Sequence, residues 1–246
     1  IAAPRTDNLY QSQKDANGNY STFLSTRPET STTYQLGYRY LTDLVQGSIV
    51  LWNSQVKNRI VSSFDIVTNA YFDHNVPGIN FWGVDFEGNY KATDALTLYG
   101  NAGYDRARII SNIPVGGGLA NTYNKQLSEV PKWTVTGRAD YRITDYLRAG
   151  VSSKYVGSRP QTEDNNAFVP DYYTVNADIT FALDMFGMPG SSLRFNADNL
   201  FNKHYFSSVG TQTCWQPVSG FNGCTSYPSA YLGAPQTFQV TLTARY

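Results

Sequence analysis

The chain has 246 residues, and nineteen Lys and Arg balance nineteen Asp and Glu, so the formal net charge is zero. That balance excludes the basic footprint of a nucleic-acid binder. The longest apolar run, Ile49-Val50-Leu51-Trp52, is far short of the ~18 residues a membrane-crossing helix needs; β-strand crossings stay open, because a barrel wall spends only every second residue on lipid.

The sequence starts at Ile1 without an initiator Met or a signal-peptide pattern, which reads as a piece of something longer. Residues 1–30 are polar and irregular, with a turn expected over 15–19, and are read as an extracellular loop region. Asn19-Tyr20-Ser21 matches a glycosylation sequon by pattern only. Alternation begins at Ser31 or Thr32. Tyr34, Leu36, Tyr38 and Tyr40 share one face, and Gln35, Gly37 and Arg39 the other, as successive strand residues must. Thr42-Asp43 makes a tight turn, and a strand is expected over 45–60. A polar loop through Asn69, Asp73, His74, Pro77 and Gly78 follows.

Trp82, Val84, Phe86 and Tyr90 then alternate with Asp85, Glu87, Asn89 and Lys91. After the turn Ala92-Thr93-Asp94, Leu96, Leu98, Ala102 and Tyr104 oppose Thr97, Asn101 and Asp105. A Gly- and Asn-rich loop spans about 111–129. Its Gly116-Gly117-Gly118 has no strand-then-helix context, so it is not a phosphate loop. Trp133, Val135, Ala139, Tyr141 and Ile143 oppose Thr134, Thr136, Arg138, Asp140 and Arg142. Past Thr144-Asp145, Leu147, Ala149, Val151 and Tyr155 oppose Arg148, Ser152 and Lys154. A loop covers about 157–170. The next alternation runs Tyr173 to Leu183, with Thr174, Asn176, Asp178 and Thr180 on its polar side. A Gly/Pro turn over 187–190 leads to Leu193, Phe195 and Ala197, opposed by Arg194, Asn196 and Asp198. The longest loop, about 207–235, precedes a closing strand whose oily face is Phe238, Val240, Leu242, Ala244 and Tyr246.

This pattern predicts an all-β chain of about nine strands and no helix. Its connections alternate short and long, which in an antiparallel meander puts all short turns at one end and all long loops at the other. Outer-membrane barrels have this asymmetry, and a soluble sandwich has no reason to sort its loops by length. Charges keep to one face, while the ends of the apolar face are aromatic, where amphipathic rings meet headgroups. Aromatic cross-strand pairs of a soluble sheet are the competing account. Nine meandering strands would leave two open edges, and unpaired backbone groups in lipid cost several kcal/mol each. The piece is therefore expected to belong to a larger closed barrel.

Three segments carry a family resemblance. Residues 28–38, Pro28-Glu29-Thr30-Ser31 through Gly37-Tyr38, resemble the Pro-Glu-x-Ser-x-x-Tyr-Glu-x-Gly-Tyr strand start of TonB-dependent outer-membrane receptors. Asp198-Asn199-Leu200-Phe201-Asn202-Lys203-His204-Tyr205 is similar to that family's Asn-Leu-Phe-Asp/Asn-Lys-x-Tyr motif. The end, from Gly233-Ala234-Pro235-Gln236 to Ala244-Arg245-Tyr246, resembles its last strand, with Gln236 in place of the usual Arg and Tyr246 in place of the usual Phe. The resemblance covers residues 28–246. It implies an outer-membrane location in a Gram-negative bacterium and strands 14 to 22 of a transmembrane antiparallel up-and-down β-barrel of 22 strands. It also implies an N-terminal plug domain outside this chain, contact with lipid, and energy from the TonB complex. Phe238 and Tyr246 would lie in the aromatic girdle, with Tyr246 also serving as an insertion signal.

No catalytic constellation, cofactor site or metal site is predicted. His74 and His204 are the only histidines. The expected role is uptake of a small-molecule nutrient, most simply an iron–siderophore chelate. Oligosaccharide uptake, or a non-transporting barrel or adhesin, stand as the other readings. Candidate ligand contacts are the loop aromatics Tyr71, Phe72, Trp215, Phe221 and Tyr227. Candidate lumen-facing charges are Arg39, Asp85, Glu87, Asp105, Arg138, Arg148, Lys154 and Arg194. Cys214 and Cys224 close a short polar loop and suggest a disulfide, with two free thiols as the alternative.

Overall fold

The computed structural model describes residues 10–14, 20–24, 26–65, 70–115, 118–210, 213 and 229–245. Nine antiparallel strands form one sheet. They are β1 (Thr30–Leu41), β2 (Val45–Asp65), β3 (Ala70–Lys91), β4 (Leu96–Ile109), β5 (Trp133–Arg142), β6 (Leu147–Val156), β7 (Tyr172–Ala182), β8 (Ser192–Asp198) and β9 (Thr237–Thr243). Each pairs with its sequence neighbour, so the order is a plain up-and-down meander. The only helical turn among the described residues is a 3-10 turn, Asp184–Phe186, in the β7–β8 connection.

The short connections share one chemistry. Thr42 Oγ1 accepts from the Val45 amide at 2.9 Å, Thr93 Oγ1 from Leu96 at 2.9 Å, and Thr144 Oγ1 from Tyr146 at 3.4 Å. A threonine hydroxyl here stands in for a backbone acceptor and closes a Thr-Asp turn. The other ends carry the long loops. They contain two-stranded ribbons of their own, such as Ile113–Val115 with Gly118–Ala120 and Phe206–Val209 with Ala230–Leu232.

The burial pattern is inverted relative to a soluble sheet. Leu36 is 72% exposed, Phe238 69% and Leu242 65%, although all three are large and apolar. The buried apolar residues Val61, Val76, Ile79, Ile109 and Ile113 lie instead at the loop end. Among the described residues no protein layer covers the oily face. An exposed face this continuous marks contact with a membrane or partner, not ordinary surface scatter. Its aromatic residues form two bands. Tyr34, Trp82, Tyr104, Trp133, Tyr155 and Tyr173 lie toward the long loops, and Tyr40, Tyr90 and Tyr141 toward the short turns, as the strand registers require. On β3 the step from Trp82 to Tyr90 is about 27 Å along the strand at ~3.4 Å per residue. A tilt of ~40° leaves roughly 21 Å of height, close to the ~25 Å apolar band of an outer-membrane barrel.

One expectation is corrected. Of the polar loop expected through Asn69, Asp73, His74, Pro77 and Gly78, Asn69 lies outside the described residues, and Asp73, His74, Pro77 and Gly78 are instead part of β3, which runs beside β2. Pairing runs from Val45↔Tyr90 to Asp65↔Ala70 without a register shift, broken only opposite Asn58 and Pro77. Asn58 and Gly78 take positive φ values of 56° and 129° there, and Pro77 has no N–H to donate. Above the membrane both faces of the hairpin meet water or other loops. The apolar alternation that signals a strand vanishes there, while the backbone ladder continues.

β1 and β9 are the two edges of the sheet, and no pairing joins them among the described residues. The two open edges expected of a nine-stranded meander are therefore present among the described residues.

Candidate functional site

The register stacks the polar face into rows that cross the sheet. One row runs Arg39, Ser48, Glu87, Asn101, Thr136, Lys154 and Thr174. A row nearer the loops holds Asp85 and a further one Asp105, opposite Gly103 and Gly83 respectively. Nearest the short turns, Arg142, Arg148, Thr180 and Arg194 share a row. All eight charges expected on the lumen side therefore lie on the polar face of the sheet, each by its pairing register.

The tightest cluster on that face joins three strands. Arg138 donates to both Asp140 oxygens at 2.8 and 2.5 Å and pairs with Asp178 at 2.9 Å. Arg194 reaches the other Asp178 oxygen at 3.2 Å. Asp140 and Asp178 flank Gly150 in one row, and the Arg138 guanidinium lies over Gly150, where a Cβ would collide with it. The missing side chain is thus the seat of the bridge, a close-approach use of a strand glycine. Such a chain of alternating charges ties β5, β7 and β8 together on the polar face.

A second assembly holds the long loops together. Glu29 Oε1 accepts from the Ile60 amide at 2.6 Å, and the Asn75 side chain bonds both Arg27 and Asn58. Arg59 forms an ion pair with Glu163, tying the tall β2–β3 hairpin to the β6–β7 loop. Asn165 clamps the backbone of Gln126 from both sides, at 2.9 and 2.8 Å. Arg159, only 4% exposed, donates to the carbonyls of Phe206 and Ser207. Glu129 accepts from the Val209 amide at 2.5 Å. The β6–β7 loop therefore contacts the hairpin and both neighbouring loops.

The segment 198–205 is a junction between β8 and β9. Asn199 sits at a φ of 50° and is 4% exposed. Its side chain donates to the carbonyls of Lys203 and Ala234 and accepts from the Lys203 amide at 2.8 Å. Gln236 gives its side-chain amide to the Leu200 carbonyl at 2.7 Å.

The other sequence-chosen residues fall unevenly. Tyr71 and Phe72 are on strand β3, paired with Phe64 and Ser63, so they are hairpin residues and not loop residues. Phe238 is on the exposed apolar face of β9. Trp215, Phe221, Tyr227, Cys214, Cys224 and Tyr246 lie outside the described residues. Sequence reading missed Arg59, Arg159, Glu163 and Gln126 altogether. Polar groups of loops are ordinarily solvated, and only tertiary contact buries Gln126, Arg159 and Glu163 and brings Arg59 to Glu163. Among the described residues no group of three or more His, Cys, Asp or Glu side chains could hold a metal ion.

A meander whose oily face is bare, whose charges are stacked on the other side and whose loops interlock at one end is the wall of a transmembrane β-barrel. A family model described as "TonB dependent receptor-like, beta-barrel" matches residues 1–200, and the chain belongs to that family. It is a family of transporters, not of enzymes. The ferrichrome outer membrane transporter/phage receptor of Escherichia coli K12 is 23% identical over 189 residues, 74% of this chain and 24% of that protein. The catecholate siderophore receptor Fiu of Escherichia coli K12 is 21% identical over 99% of this chain and 29% of its own length. Among solved structures, the copper transporter OprC superposes with a TM-score of 0.71 at 17% identity, covering 98% of this chain and 36% of that one. The ferric yersiniabactin uptake receptor FyuA from Yersinia pestis gives 0.66 at 16% identity, over 94% of this chain and 32% of its own. These likenesses show the fold. The chain spans about a quarter of the length of the curated relatives it matches, 24% and 29% in the two cases above.

Proposed function

We propose that this chain is part of the wall of an outer-membrane receptor that imports an iron–siderophore chelate in a Gram-negative bacterium. The observation that carries this reading is the likeness to a ferrichrome outer membrane transporter over 74% of the chain and to a catecholate siderophore receptor over 99% of it. The copper transporter among the structural neighbours supports keeping the cargo open to test, since fold alone does not select it.

In this reading the exposed apolar face contacts membrane lipid. The polar face lines a lumen filled by a plug domain, and further strands complete the barrel. Energy comes through the TonB complex. The polar rows of Arg39, Glu87 and Lys154 hydrate the lumen and contact the plug. Substrate binds at the loop end, where Tyr71, Phe72, Trp215, Phe221 and Tyr227 stack on it. A Cys214–Cys224 disulfide staples the last loop and lowers the ordering cost of capture.

The test is uptake of labelled ferric catecholates, ferric hydroxamates and oligosaccharides by a deletion strain and its complemented parent. The expected result is loss of one class of iron-chelate uptake, with the remaining uptake in the parent abolished by a protonophore. Loss of oligosaccharide uptake alone transfers the reading to carbohydrate import. Unchanged uptake of every probe refutes transport and leaves a barrel that binds partners through its loops.

A further inference from the structure

The polar face of the wall carries two strips of opposite sign. Asp85, Glu87 and Asp105 lie on β3 and β4, and Arg142, Arg148 and Lys154 on β5 and β6. Among the described residues none of these side chains is within ion-pair distance of an opposite charge. Glu87 and Lys154 share a row but stand three strands apart, about 14 Å at ~4.8 Å per strand. That exceeds the ~8 Å Debye length of physiological salt, so the two strips do not neutralise one another.

The basic strip ends, at the short turns, in an arrangement that opposes its own stability. Arg142 and Arg148 are direct cross-strand partners, and like charges so placed destabilise a sheet. They share a recess of about 310 Å³ with Asp94 and Asp140. Both carboxylates are already taken, Asp94 by Lys91 at 2.9 Å and Asp140 by Arg138 at 2.5 Å. Arg142 gives one guanidinium nitrogen to the Asp94 carbonyl at 3.2 Å, which leaves the charge of the arginine pair uncompensated.

Lys154 lies on the same face of β6 as Arg148, nearer the long loops. The step between them is about 20 Å along the strand, or ~15 Å of height at a tilt of ~40°. An anion midway is about 10 Å from each, roughly one Debye length, so it leaves the field of one cation as it enters that of the other. Between them Arg138 and Arg194 are neutralised by Asp140 and Asp178. Exposed cations spaced in this way bind weakly and in succession, which passage requires. We propose that β5 and β6 form a track for a net-anionic cargo, with Lys154 receiving it and the Arg142–Arg148 pair releasing it at the short-turn end. This rests on the transport reading above and narrows its cargo by charge. A ferric ion wrapped by catecholate dianions keeps a net negative charge, whereas hydroxamate monoanions neutralise it. The acidic strip on β3 and β4 repels the anion and holds it to the β5–β6 side.

The experiment expresses the full-length protein in a deletion strain and follows a radiolabelled ferric tricatecholate and a ferric trihydroxamate. Binding to de-energised cells and the maximal uptake rate of energised cells are read separately, and gel mobility of the folded barrel checks that each variant assembles. The double variant Arg142→Gln, Arg148→Gln is expected to lower the maximal rate for the tricatecholate about fivefold at unchanged surface binding. Lys154→Gln, at the other end of the track, lowers it about twofold. Arg142→Lys with Arg148→Lys keeps the charge and restores the rate. A wild-type rate in both Gln variants overturns the proposal, and so does an equal loss in the Lys variant, which makes the arginines structural. New sensitivity to vancomycin in the double Gln variant assigns them to holding a plug and likewise overturns it. Wild-type uptake of the trihydroxamate alone overturns the anionic track and leaves transport standing, whereas uptake of neither chelate by the wild type overturns both.

Discussion

Gly150→Ala should destabilise this barrel wall, and the same change should become neutral or stabilising once Arg138 is Ala. A Cβ at Gly150 enters the space held by the Arg138 guanidinium, which sits between Asp140 and Asp178. The guanidinium ends a flexible chain, so it can swing away, and the cost is the pairing it forfeits and not a hard clash. Charge-assisted hydrogen bonds contribute ~1.5–3 kcal/mol when well enclosed. Here the side chains of Arg138 and Asp178 are 29% and 12% exposed, so solvent screening lowers that figure. Asp178 also keeps Arg194 at 3.2 Å. A loss of about 1–2 kcal/mol follows for Gly150→Ala. In the Arg138→Ala background the collision with the guanidinium is gone, and only the Asp178 carboxylate end, 2.9 Å from the new Cβ and free of its Arg138 pairing, has to shift, against the ~0.4–1 kcal/mol that Gly→Ala gives in a compatible strand. The assay is urea-induced unfolding of the full-length protein in lipid vesicles, followed by tryptophan fluorescence and by the mobility shift of folded barrels on gels. The four proteins of the cycle give a coupling of at least ~1 kcal/mol if the reasoning holds. Additivity within ~0.3 kcal/mol would refute the bridge over Gly150.

Three further outcomes follow from other sites. Asn199→Ala loses three side-chain hydrogen bonds and a residue suited to positive φ, and should cost about 2–4 kcal/mol, while Asn199→Asp recovers part of it; equal urea midpoints for wild type and Asn199→Ala would contradict the junction. Gly78→Ala places a Cβ against the Val56 backbone at a φ of 129°, so thermolysin should cut the tip of the β2–β3 hairpin faster while the membrane-level strands stay protected. Arg59→Gln leaves the Glu163 carboxylate, 6% exposed, without its cation and should open the β6–β7 loop to hydrogen exchange with little change in global stability; unaltered exchange over residues 157–171 would sink that role.

The nine strands were nearly all legible, because lipid on one side and polar groups on the other impose a period of two. Leu96 to Tyr104 and Tyr173 to Phe181 could be read residue by residue for that reason. Alternation failed above the membrane, where Val61 to Asp65 and Ala70 to His74 keep their ladder but lose the two-environment contrast, and a tall hairpin passed for a loop. The Thr-Asp turns were visible because their chemistry is local. The motif around Asn199 was visible as a string, but its function as a knot between β8 and β9 was not, since its partners Asn176 and Ala234 lie 23 and 35 residues away.

What the sequence by itself determined is the wall: its strand count, its two faces, its sorted loops and its family. What only the tertiary structure decided is which charges meet. Arg138 joins Asp178 because β6 places a glycine between them, and Arg59 meets Glu163 across 104 residues of chain. Periodicity is a local property, set by one environment at a time. Pairing between distant side chains depends on register and on empty space, and neither is written at the position of the residue that uses it.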